Sequence, residues 1–300
     1  MVRIIKATAV VVLTCLIAFG TKAAVYQLPA DGSRLIGEPE TYRVVQGDYF
    51  QQIAEYHNVG MLALIAANPQ VDPFLPKEGS RLQLPTQMIL PFAARTGIVI
   101  NLSELRLYYF PPNEKLVYVF PIGIGRQGLS TPKAVSYIGE KRKDPTWYPP
   151  LEMRERYLEE KGVTLPAAVP AGENNPLGKF ALRIGTSQYL IHGTNQRAGI
   201  GLRASSGCIR MYAQDIEWLY YNVRTNTPIR IVDQPIKMSY EESGDKLIEV
   251  HEPLSDSSVA ELFNMELPAI QTFIGGSSSA KQQIEQLLKK PTGLVSKLKR

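Results

Sequence analysis

Residues 189–211, YLIHGTNQRAGIGLRASSGCIRM, constrain the fold and the chemistry of this chain more than any other stretch. An apolar, strand-like run ends at His192, a glycine-rich loop follows, and the segment closes around Cys208. The loop glycines, Gly207 among them, allow the backbone to approach a ligand and to direct N–H groups at a developing negative charge. A thiol with a nearby histidine is the minimum set for nucleophilic catalysis, because imidazole takes the thiol proton and later returns it to a leaving amine.

The cysteine count bears on whether this thiol is functional. The chain of 300 residues has two cysteines, Cys15 and Cys208. Residues 1–24 have the pattern of a secretory signal peptide, since Arg3 and Lys6 precede an apolar core that is short for a membrane span. We expect this leader to be cleaved; a retained membrane anchor is the alternative. Export would then leave Cys208 in an oxidising compartment without a disulfide partner in its own chain, so it is either chemically needed or buried and inert.

The motif itself has a family resemblance. His-Gly-Thr at 192–194, followed by Ser-Ser-Gly-Cys-Ile-Arg-Met at 205–211, resembles the YkuD-type L,D-transpeptidases, which are cysteine enzymes of the bacterial wall. The resemblance implies a β-sandwich whose nucleophile lies on a loop in a cleft. It also implies acyl transfer without ATP, a metal or any other cofactor.

The resemblance assigns roles to the residues of the motif. Cys208 would attack the L-centre carbonyl of diaminopimelate in a tetrapeptide stem, releasing D-alanine and forming a thioester that an amine then attacks. His192 would act as base and then as acid, and the backbone carbonyl of Gly193 would orient its imidazole. Backbone N–H groups around Gly207 and Cys208 would form the oxyanion hole.

Three further residues are candidates for substrate binding. Arg210 is expected to hold a substrate carboxylate and to favour the thiolate electrostatically, with a structural ion pair as the alternative. Ser206 is expected to be a hydrogen-bonding loop residue rather than a second nucleophile. Trp147 lies in a proline-stiffened segment, residues 144–150, that is suited either to cover a cleft or to pack as a core loop.

The pattern between residues 97 and 233 predicts a mainly β catalytic domain. Short β-favouring runs at 98–100, 106–110, 117–120, 180–184 and 189–192 are separated by turn residues. A helix is expected over 151–161 and a second after Cys208, followed by a strand at 229–232. Many short strands with one or two helices suggest a β-sandwich or an open barrel.

Residues 41–86 predict a separate small α/β module. An alternating strand, a Gly47-Asp48 turn, two amphipathic helices and a second alternating strand give the order βααβ. This order, with Asn68-Pro69 and Leu84-Pro85, resembles a LysM domain, a binder of N-acetylglucosamine polymers. The alternative is a packing module that only positions the catalytic domain.

The C-terminal third divides into an extension, residues 234–274, and a tail, residues 275–300. Gly275, Gly276 and the serines after them have the composition of a flexible linker, and lysines follow, so we expect a flexible basic tail. The formal net charge of +5 is concentrated in this tail and in the leader. The positive charge is therefore no argument for binding nucleic acid.

Beyond the motif, the arrangement of segments looks most like the periplasmic Gram-negative members that attach an outer-membrane lipoprotein to peptidoglycan. The expected partners are tetrapeptide stems and glycan strands, with a lipoprotein lysine as acceptor. A low-pKa thiol would also need a periplasmic thiol reductase as partner. Alternatives are 3→3 crosslinking, carboxypeptidase or endopeptidase activity, and a non-catalytic wall-binding protein. A metal site is not expected, because the three histidines and Cys208 are scattered in the sequence.

Overall fold

The computed structural model describes residues 23–29, 32–254 and 268–299. Residues 1–22 of the predicted signal peptide lie outside this part, so the leader stays a prediction. Ala24, the last residue of that leader, pairs with Val119 in the sheet described below. In the ranges that the structure describes, no helix has both the length and the apolar character needed to cross a membrane.

The secondary structure follows the chain in this order. The strands are β1 (Ala24–Gln27), β2 (Leu35–Ile36), β3 (Glu40–Arg43), β4 (Arg81–Leu84), β5 (Met88–Ile89), β6 (Gly97–Asn101), β7 (Arg106–Phe110), β8 (Leu116–Pro121), β9 (Ile124–Gly125), β10 (Ala134–Lys143), β11 (Phe180–Ile184), β12 (Leu190–His192), β13 (Arg203–Ser205), β14 (Ile209–Arg210), β15 (Pro228–Val232), β16 (Ile236–Tyr240), β17 (Lys246–Val250) and β18 (Ser296–Lys297). The helices are α1 (Phe50–Tyr56), α2 (Met61–Ala67), α3 (Leu151–Lys161), α4 (Ala213–Asn222), α5 (Pro268–Ile274) and α6 (Ser278–Lys289), with a 3₁₀ turn at Arg197–Gly199.

The N-terminal module has the predicted order of strand, helix, helix and strand. Strands β3 and β4 pair antiparallel, and helices α1 and α2 pack against them around the buried side chains Phe50, Leu64 and Leu82. The turn after β3 is held by Asp48, whose carboxylate accepts hydrogen bonds from the Tyr42 hydroxyl at 2.9 Å and the Val45 N–H at 2.8 Å. The burial of alternate apolar residues therefore produces the small α/β fold that the pattern predicts.

One curled sheet forms the centre of the catalytic domain. Within the described residues it has nine strands in the order β1-β8-β7-β6-β15-β10-β11-β12-β14, with parallel pairs at β6–β15 and β12–β14. Strand β10 carries a register shift between Ile138 and Lys141, where a Cβ on Gly139 would lie 2.3 Å from the Gly185 carbonyl oxygen. Such a bulge bends a strand and increases its twist, so the half of the sheet that ends in β12 and β14 turns away from the rest.

The central strands are buried on both faces, which explains their continuous apolar sequence. In β6, Ile98 and Ile100 belong to the main core together with Ile216 and Leu219 of α4. The alternate residue Val99 points to the other face and packs in a second cluster of buried residues from the N-terminal segment and the outer strands, which includes Ile36, Met88, Leu90 and Tyr108. The mainly β domain with few helices is confirmed: the sheet curls so that its two halves enclose one core, which joins Ile98 of β6 to Ile191 of β12 and Ile209 of β14.

The N-terminal module packs closely on the catalytic domain through Gly201. The Leu62 N–H donates to the Gly201 carbonyl at 3.1 Å, and Leu202 packs against the core of the module. Gly201 has φ +73°, and a Cβ there would lie 2.2 Å from the Met61 nitrogen. Glu55 of α1 forms an ion pair with Arg197 in the same loop. Only glycine allows two backbones to approach this closely.

The C-terminal region corrects the prediction of a flexible basic tail over residues 275–300. Helix α6 begins at the N-cap Ser277, whose hydroxyl accepts from the Ala280 N–H, and β18 pairs antiparallel with β17. Ile284 and Leu288 of α6 are buried against Ile248 and Val250, so β17 covers the apolar face of this helix. Gly275 and Gly276 have φ of +67° and +74° and form the turn between α5 and α6. Glycine and serine are typical both of a tight turn with positive φ and of a flexible linker, so the composition alone did not distinguish the two.

Three parts of the chain meet at a group of buried ionisable side chains, here called the buried charge cluster: Glu104, Arg106, Lys237, Glu249 and His251. Lys237 Nζ lies 2.8 Å from Glu104 and 2.9 Å from Glu249, and Arg106 Nη1 lies 3.0 Å and 3.2 Å from the same two carboxylates. Arg106 also donates to the Pro85 carbonyl at 2.8 Å, and Glu249 accepts from the Ile89 N–H at 2.6 Å. The cluster therefore joins the catalytic domain, the C-terminal region and the segment after β4.

Candidate active site

Parallel pairing of β12 and β14 brings the two chemically important side chains together. In the register, Ile191 is opposite Ile209 and His192 is opposite Arg210. Both isoleucines are fully buried in the core. Because successive side chains of a strand point to opposite faces, His192 and Arg210 share the other face, and Cys208, two residues before Arg210, belongs to it as well. The pairing of β12 with β14 therefore places His192 and Cys208, which are separated in the sequence, on one face of the sheet.

His192 is buried and has a defined tautomer. Its Nδ1 lies 2.5 Å from the carbonyl oxygen of Gly193. A carbonyl only accepts, so Nδ1 carries the proton and Nε2 keeps a free lone pair. Burial, together with the weaker effect of the positive charge of Arg210, lowers the pKa of His192 to about 4, although the hydrogen bond to Gly193 acts in the opposite direction. The imidazole is therefore neutral at pH 7, as a general base must be.

Cys208 is half-buried and is the one free cysteine in the described part of the chain. Burial raises the pKa of its thiol, although a hydrogen bond with the Leu190 backbone and the charge of Arg210 act in the opposite direction. This direction is opposite to the low pKa expected from the sequence, because burial outweighs the effects of the Leu190 backbone and of Arg210.

Two hydroxyl groups fix the loop that carries Cys208. Ser205 Oγ donates to the Cys208 carbonyl at 2.5 Å and accepts from the Gly207 N–H at 3.2 Å. Thr131 Oγ1 donates to the Gly207 carbonyl at 2.8 Å and accepts from the Gly125 N–H at 3.0 Å. The oxyanion-hole prediction is corrected in part, because the Gly207 N–H already has an acceptor and the Cys208 N–H is left as the donor.

Gly207 itself is required by geometry. It has φ +103°, and a Cβ there would lie 2.9 Å from the ring of Tyr189. The glycine therefore lets the chain turn sharply in front of the nucleophile while Tyr189 lines the cleft beside it. Thr131 was missed by sequence reasoning, since nothing in its local sequence connects it with a residue so far along the chain.

Arg210 is held mainly through its backbone. Its N–H donates to the Gly123 carbonyl at 2.8 Å, and the Gly123 N–H donates back at 2.9 Å. Its Nη1 donates to Gln196 Oε1 at 3.4 Å, and its Nε is buried without a partner. Among the described residues no carboxylate pairs with Arg210, so the alternative of a structural ion pair does not describe this arginine. The guanidinium is therefore available to bind an anionic group of a substrate.

An open cleft of about 510 Å³ lies in front of the nucleophile. Cys208 and Ser206 line it on one side, and Trp147 with residues of α3 on the other. Trp147 is fixed by a two-way backbone bridge to Val169, with both N–H to O distances at 2.8 Å. Asn175, fully buried, donates to the Pro145 carbonyl at 2.7 Å and stabilises the same segment. Residues 144–150 therefore border the cleft, as the lid interpretation expects.

The buried charge cluster contains the one group of potential metal ligands in the described ranges. Ligand atoms of Glu104, Glu249 and His251 all lie within 4.8 Å of one another. Lys237 and Arg106 already contact both carboxylates and supply two positive charges. A divalent cation would have to displace these charges, so the donor set fits an internal ion network better than a metal.

Cys208 lines an open cleft, and the pairing of β12 with β14 brings His192 near it, an arrangement typical of cysteine acyl-transfer enzymes. Family profiles match the L,D-transpeptidase catalytic domain at residues 95–231 and the L,D-transpeptidase C-terminal domain at residues 235–295. The second match joins the predicted extension and most of the predicted tail into one domain. The chain belongs to the peptidoglycan L,D-transpeptidase family, and it is an enzyme of that family.

Two relatives that this chain matches over most of its length agree with this membership. Probable L,D-transpeptidase YcfS of Escherichia coli is 48% identical over 246 residues, which covers 80% of this chain and 76% of that protein. Probable L,D-transpeptidase ErfK/SrfK of Salmonella typhimurium is 41% identical over 287 residues, covering 93% and 92%. The catalytic domain of an Enterococcus faecium L,D-transpeptidase, solved by NMR, is 20% identical with a TM-score of 0.36, covering 47% of this chain and 99% of that one.

Proposed function

We propose that the enzyme transfers the acyl group of a peptidoglycan tetrapeptide through a thioester on Cys208. The observation that carries the proposal is the parallel pairing of β12 and β14, which sets His192 opposite Arg210 and so brings it near Cys208, with Nδ1 of the imidazole bonded to Gly193 and Nε2 free to accept a proton. The donor would enter the cleft with its scissile amide beside Cys208, and its leaving group would be D-alanine.

The proposed first half-reaction conserves atoms and charge. The thiol proton moves to His192 Nε2 as the sulfur attacks the L-centre carbonyl of diaminopimelate. The Cys208 N–H stabilises the oxyanion, and Gly193 supports the imidazolium through Nδ1. The carbon–nitrogen bond then breaks, and His192 returns the proton to the leaving amine of D-alanine.

The second half-reaction runs in reverse with a new amine. The amine attacks the thioester, His192 takes its proton, and the sulfur leaves to recover that proton as a thiol. No nucleotide is needed, because the thioester retains the acyl-transfer potential of the broken amide. The acceptor proposed here is a lysine of an outer-membrane lipoprotein, by resemblance to the lipoprotein-anchoring subgroup; a diaminopimelate amine, giving 3→3 crosslinks, or water are the alternatives.

The N-terminal module is proposed to bind glycan strands as a LysM domain. Two of its loops are adjacent, since the Phe50 N–H donates to the Pro73 carbonyl at 2.9 Å. These loops expose Tyr49, Phe74 and Leu75, with Phe74 and Leu75 81% and 80% accessible. Exposed rings and apolar side chains of this kind suit stacking against sugar faces. Together with the predicted leader, this function places the enzyme in the periplasm.

Acyl-enzyme formation tests the proposal directly. The wild-type protein incubated with soluble tetrapeptide should gain the mass of the donor minus D-alanine, and Cys208→Ala should gain none while keeping its melting temperature. Ser243→Ala, an equally small change in an exposed turn, is the control and should acylate normally. Transfer by Cys208→Ala at a rate comparable to the wild type would refute the mechanism.

The acceptor needs an experiment in cells. Mass spectrometry of muropeptides from cells with and without the enzyme should show loss of lipoprotein-linked stems if the proposed acceptor is right. Loss of 3→3 linked dimers would assign the crosslinking reaction instead. Retained binding to sacculi with no change in muropeptides would favour a non-catalytic wall-binding protein.

A further inference from the structure

Arg156 of α3 differs from the other arginines that line the cleft. Arg142 contacts Glu140 through two nitrogens, each at 2.7 Å, and Arg183 lies 3.7 Å from the same carboxylate. Arg156 has no carboxylate partner within the described part of the chain. It is therefore a cleft guanidinium whose charge no protein group in that part neutralises.

The position of Arg156 relates it to the nucleophile. One of its Nη atoms donates to the Ser206 hydroxyl at 3.4 Å, and both residues line the cleft together with Cys208. Its Nε is buried without a partner, so this N–H has lost water and has gained no protein acceptor. A half-desolvated guanidinium with unused donors is suited to take a carboxylate in a two-pronged contact.

Helix α3 holds Arg156 over the cleft without belonging to the core. No residue of α3 is fully buried. Its C-terminal turn is tethered by an ion pair of 3.3 Å between Glu160 and Arg126, and the Arg126 N–H donates to the Ser205 carbonyl at 2.9 Å. The helix is thus connected at two points to the loop that carries the nucleophile.

We infer that Arg156 is a specificity-determining residue that binds a carboxylate of the acyl donor next to the scissile amide. The inference rests on the proposed function, in which the donor is a tetrapeptide. Such a donor presents two carboxylates near the reacting carbonyl, the C-terminal one of the leaving D-alanine and the one at the D-centre of diaminopimelate. Both have the chemistry that the guanidinium recognises, and the experiment distinguishes them.

The primary measurement is equilibrium binding of tetrapeptide to Cys208→Ala, in which turnover cannot interfere. Adding Arg156→Gln should weaken binding about tenfold to hundredfold, as expected for loss of a charge-assisted contact. Arg156→Lys should recover part of the affinity, since lysine restores the positive charge but cannot make the two-pronged contact of a guanidinium. Arg154→Gln, on the same helix but outside the cleft lining, is the matched control and should bind like its parent.

Two amidated donors identify the carboxylate. In the parent Cys208→Ala protein, amidation of the carboxylate that contacts Arg156 should weaken binding, and with that donor Arg156→Gln should have no further effect. Amidation of the other carboxylate should leave the effect of Arg156→Gln intact. Equal losses with both amidated donors, or an Arg154→Gln variant as weak as Arg156→Gln, would overturn the inference.

Steady-state kinetics separate this inference from the proposed function. With the native cysteine, Arg156→Gln should raise KM for the donor about tenfold or more, with kcat changed less. If the wild type binds tetrapeptide but forms no acyl-enzyme, the proposed function fails and the binding result still decides the role of Arg156. If the wild type forms the acyl-enzyme and Arg156→Gln is unaffected in both binding and KM, only the inference fails.

Discussion

Replacing Lys237 with methionine removes one of the two cations in the buried charge cluster. The cluster sets two carboxylates, Glu104 and Glu249, against the side chains of Lys237 and Arg106, and the lysine is 2.8 and 2.9 Å from the two carboxylates. Methionine has a similar length but no charge, so both buried carboxylates would lose one of their cationic partners. Lys237 also donates to the Ile89 carbonyl, which would lose this donor.

The expected loss follows from the burial of the partners. Breaking a buried ion pair by removing one member costs about 3–5 kcal/mol, because the other charge is left uncompensated. At about 2–4 °C per kcal/mol for a chain of this size class, the melting temperature should fall by about 6–20 °C. Differential scanning calorimetry at pH 7 measures the shift. Arg142→Met, which breaks the exposed pair with Glu140, is the control and should cost at most about 1 kcal/mol.

A second substitution tests the charge argument itself. Adding Glu104→Gln to Lys237→Met removes one negative charge together with the positive one, and the Tyr108 hydroxyl, now bonded to Glu104, can accept from the new amide. The double variant should therefore be less destabilised than the sum of the two single variants by at least about 1 kcal/mol. A Lys237→Met protein that melts within 2 °C of the wild type, about 1 kcal/mol or less, would refute the reasoning, as would strict additivity.

Three further predictions concern pH and packing. Because burial lowers the pKa of His192 to about 4 and only the neutral imidazole acts as base, kcat/KM for acylation should decrease as the pH drops below about 4. A decrease that already sets in near pH 6.5, the ordinary pKa of histidine, would contradict this. Burial favours the protonated form of Glu249, yet Lys237, His251 and Arg106 hold its pKa well below the ordinary value. This stabilisation is complete above about pH 4.3 and is lost as the pH falls, so urea midpoints should drop in acid, less so in Lys237→Met. Gly201→Ala should loosen the contact of the N-terminal module and lower the melting temperature more than Gly244→Ala does, because Gly244 has a similar φ but open space around it. Equal decreases in melting temperature would mean that the strained φ, and not the close backbone contact, causes the loss of stability.

Much of the fold follows from local patterns. Strands β7 and β11 have the predicted bounds, because runs of apolar residues between turn signals leave little choice of structure, and the polar helix α3 has its predicted bounds because its Leu, Met, Glu, Arg and Lys residues favour helix. Strand β10 was missed, since charged residues and a glycine occupy it and its pairing with β11 and β15 supplies the order. The helix in residues 275–300 was underestimated for a similar reason, because its apolar face becomes stable only against β17.

The site was predictable where one segment carries it. Cys208, His192 and Gly193 are close in sequence, and their chemistry is visible from residue type alone. Thr131, Arg156 and Lys237 were missed because each acts on residues far along the chain, and no local pattern marks such contacts. The raised pKa of the thiol could not be predicted either, since it depends on burial that neighbouring segments create.

The sequence by itself therefore predicted Cys208 and His192 as nucleophile and base, and it determined the β-rich class of the catalytic domain and the order of the N-terminal module. These depend on residue type and on periodicities of two or 3.6 residues, which are properties of a short stretch. Only the tertiary structure decided that burial raises the pKa of the Cys208 thiol, that Arg156 lines the cleft without a carboxylate partner among the described residues, and that three parts of the chain meet at the buried charge cluster. Desolvation and ion pairing depend on which groups, far apart in the sequence, come within a few ångströms of each other, and only the packing of the folded chain determines this.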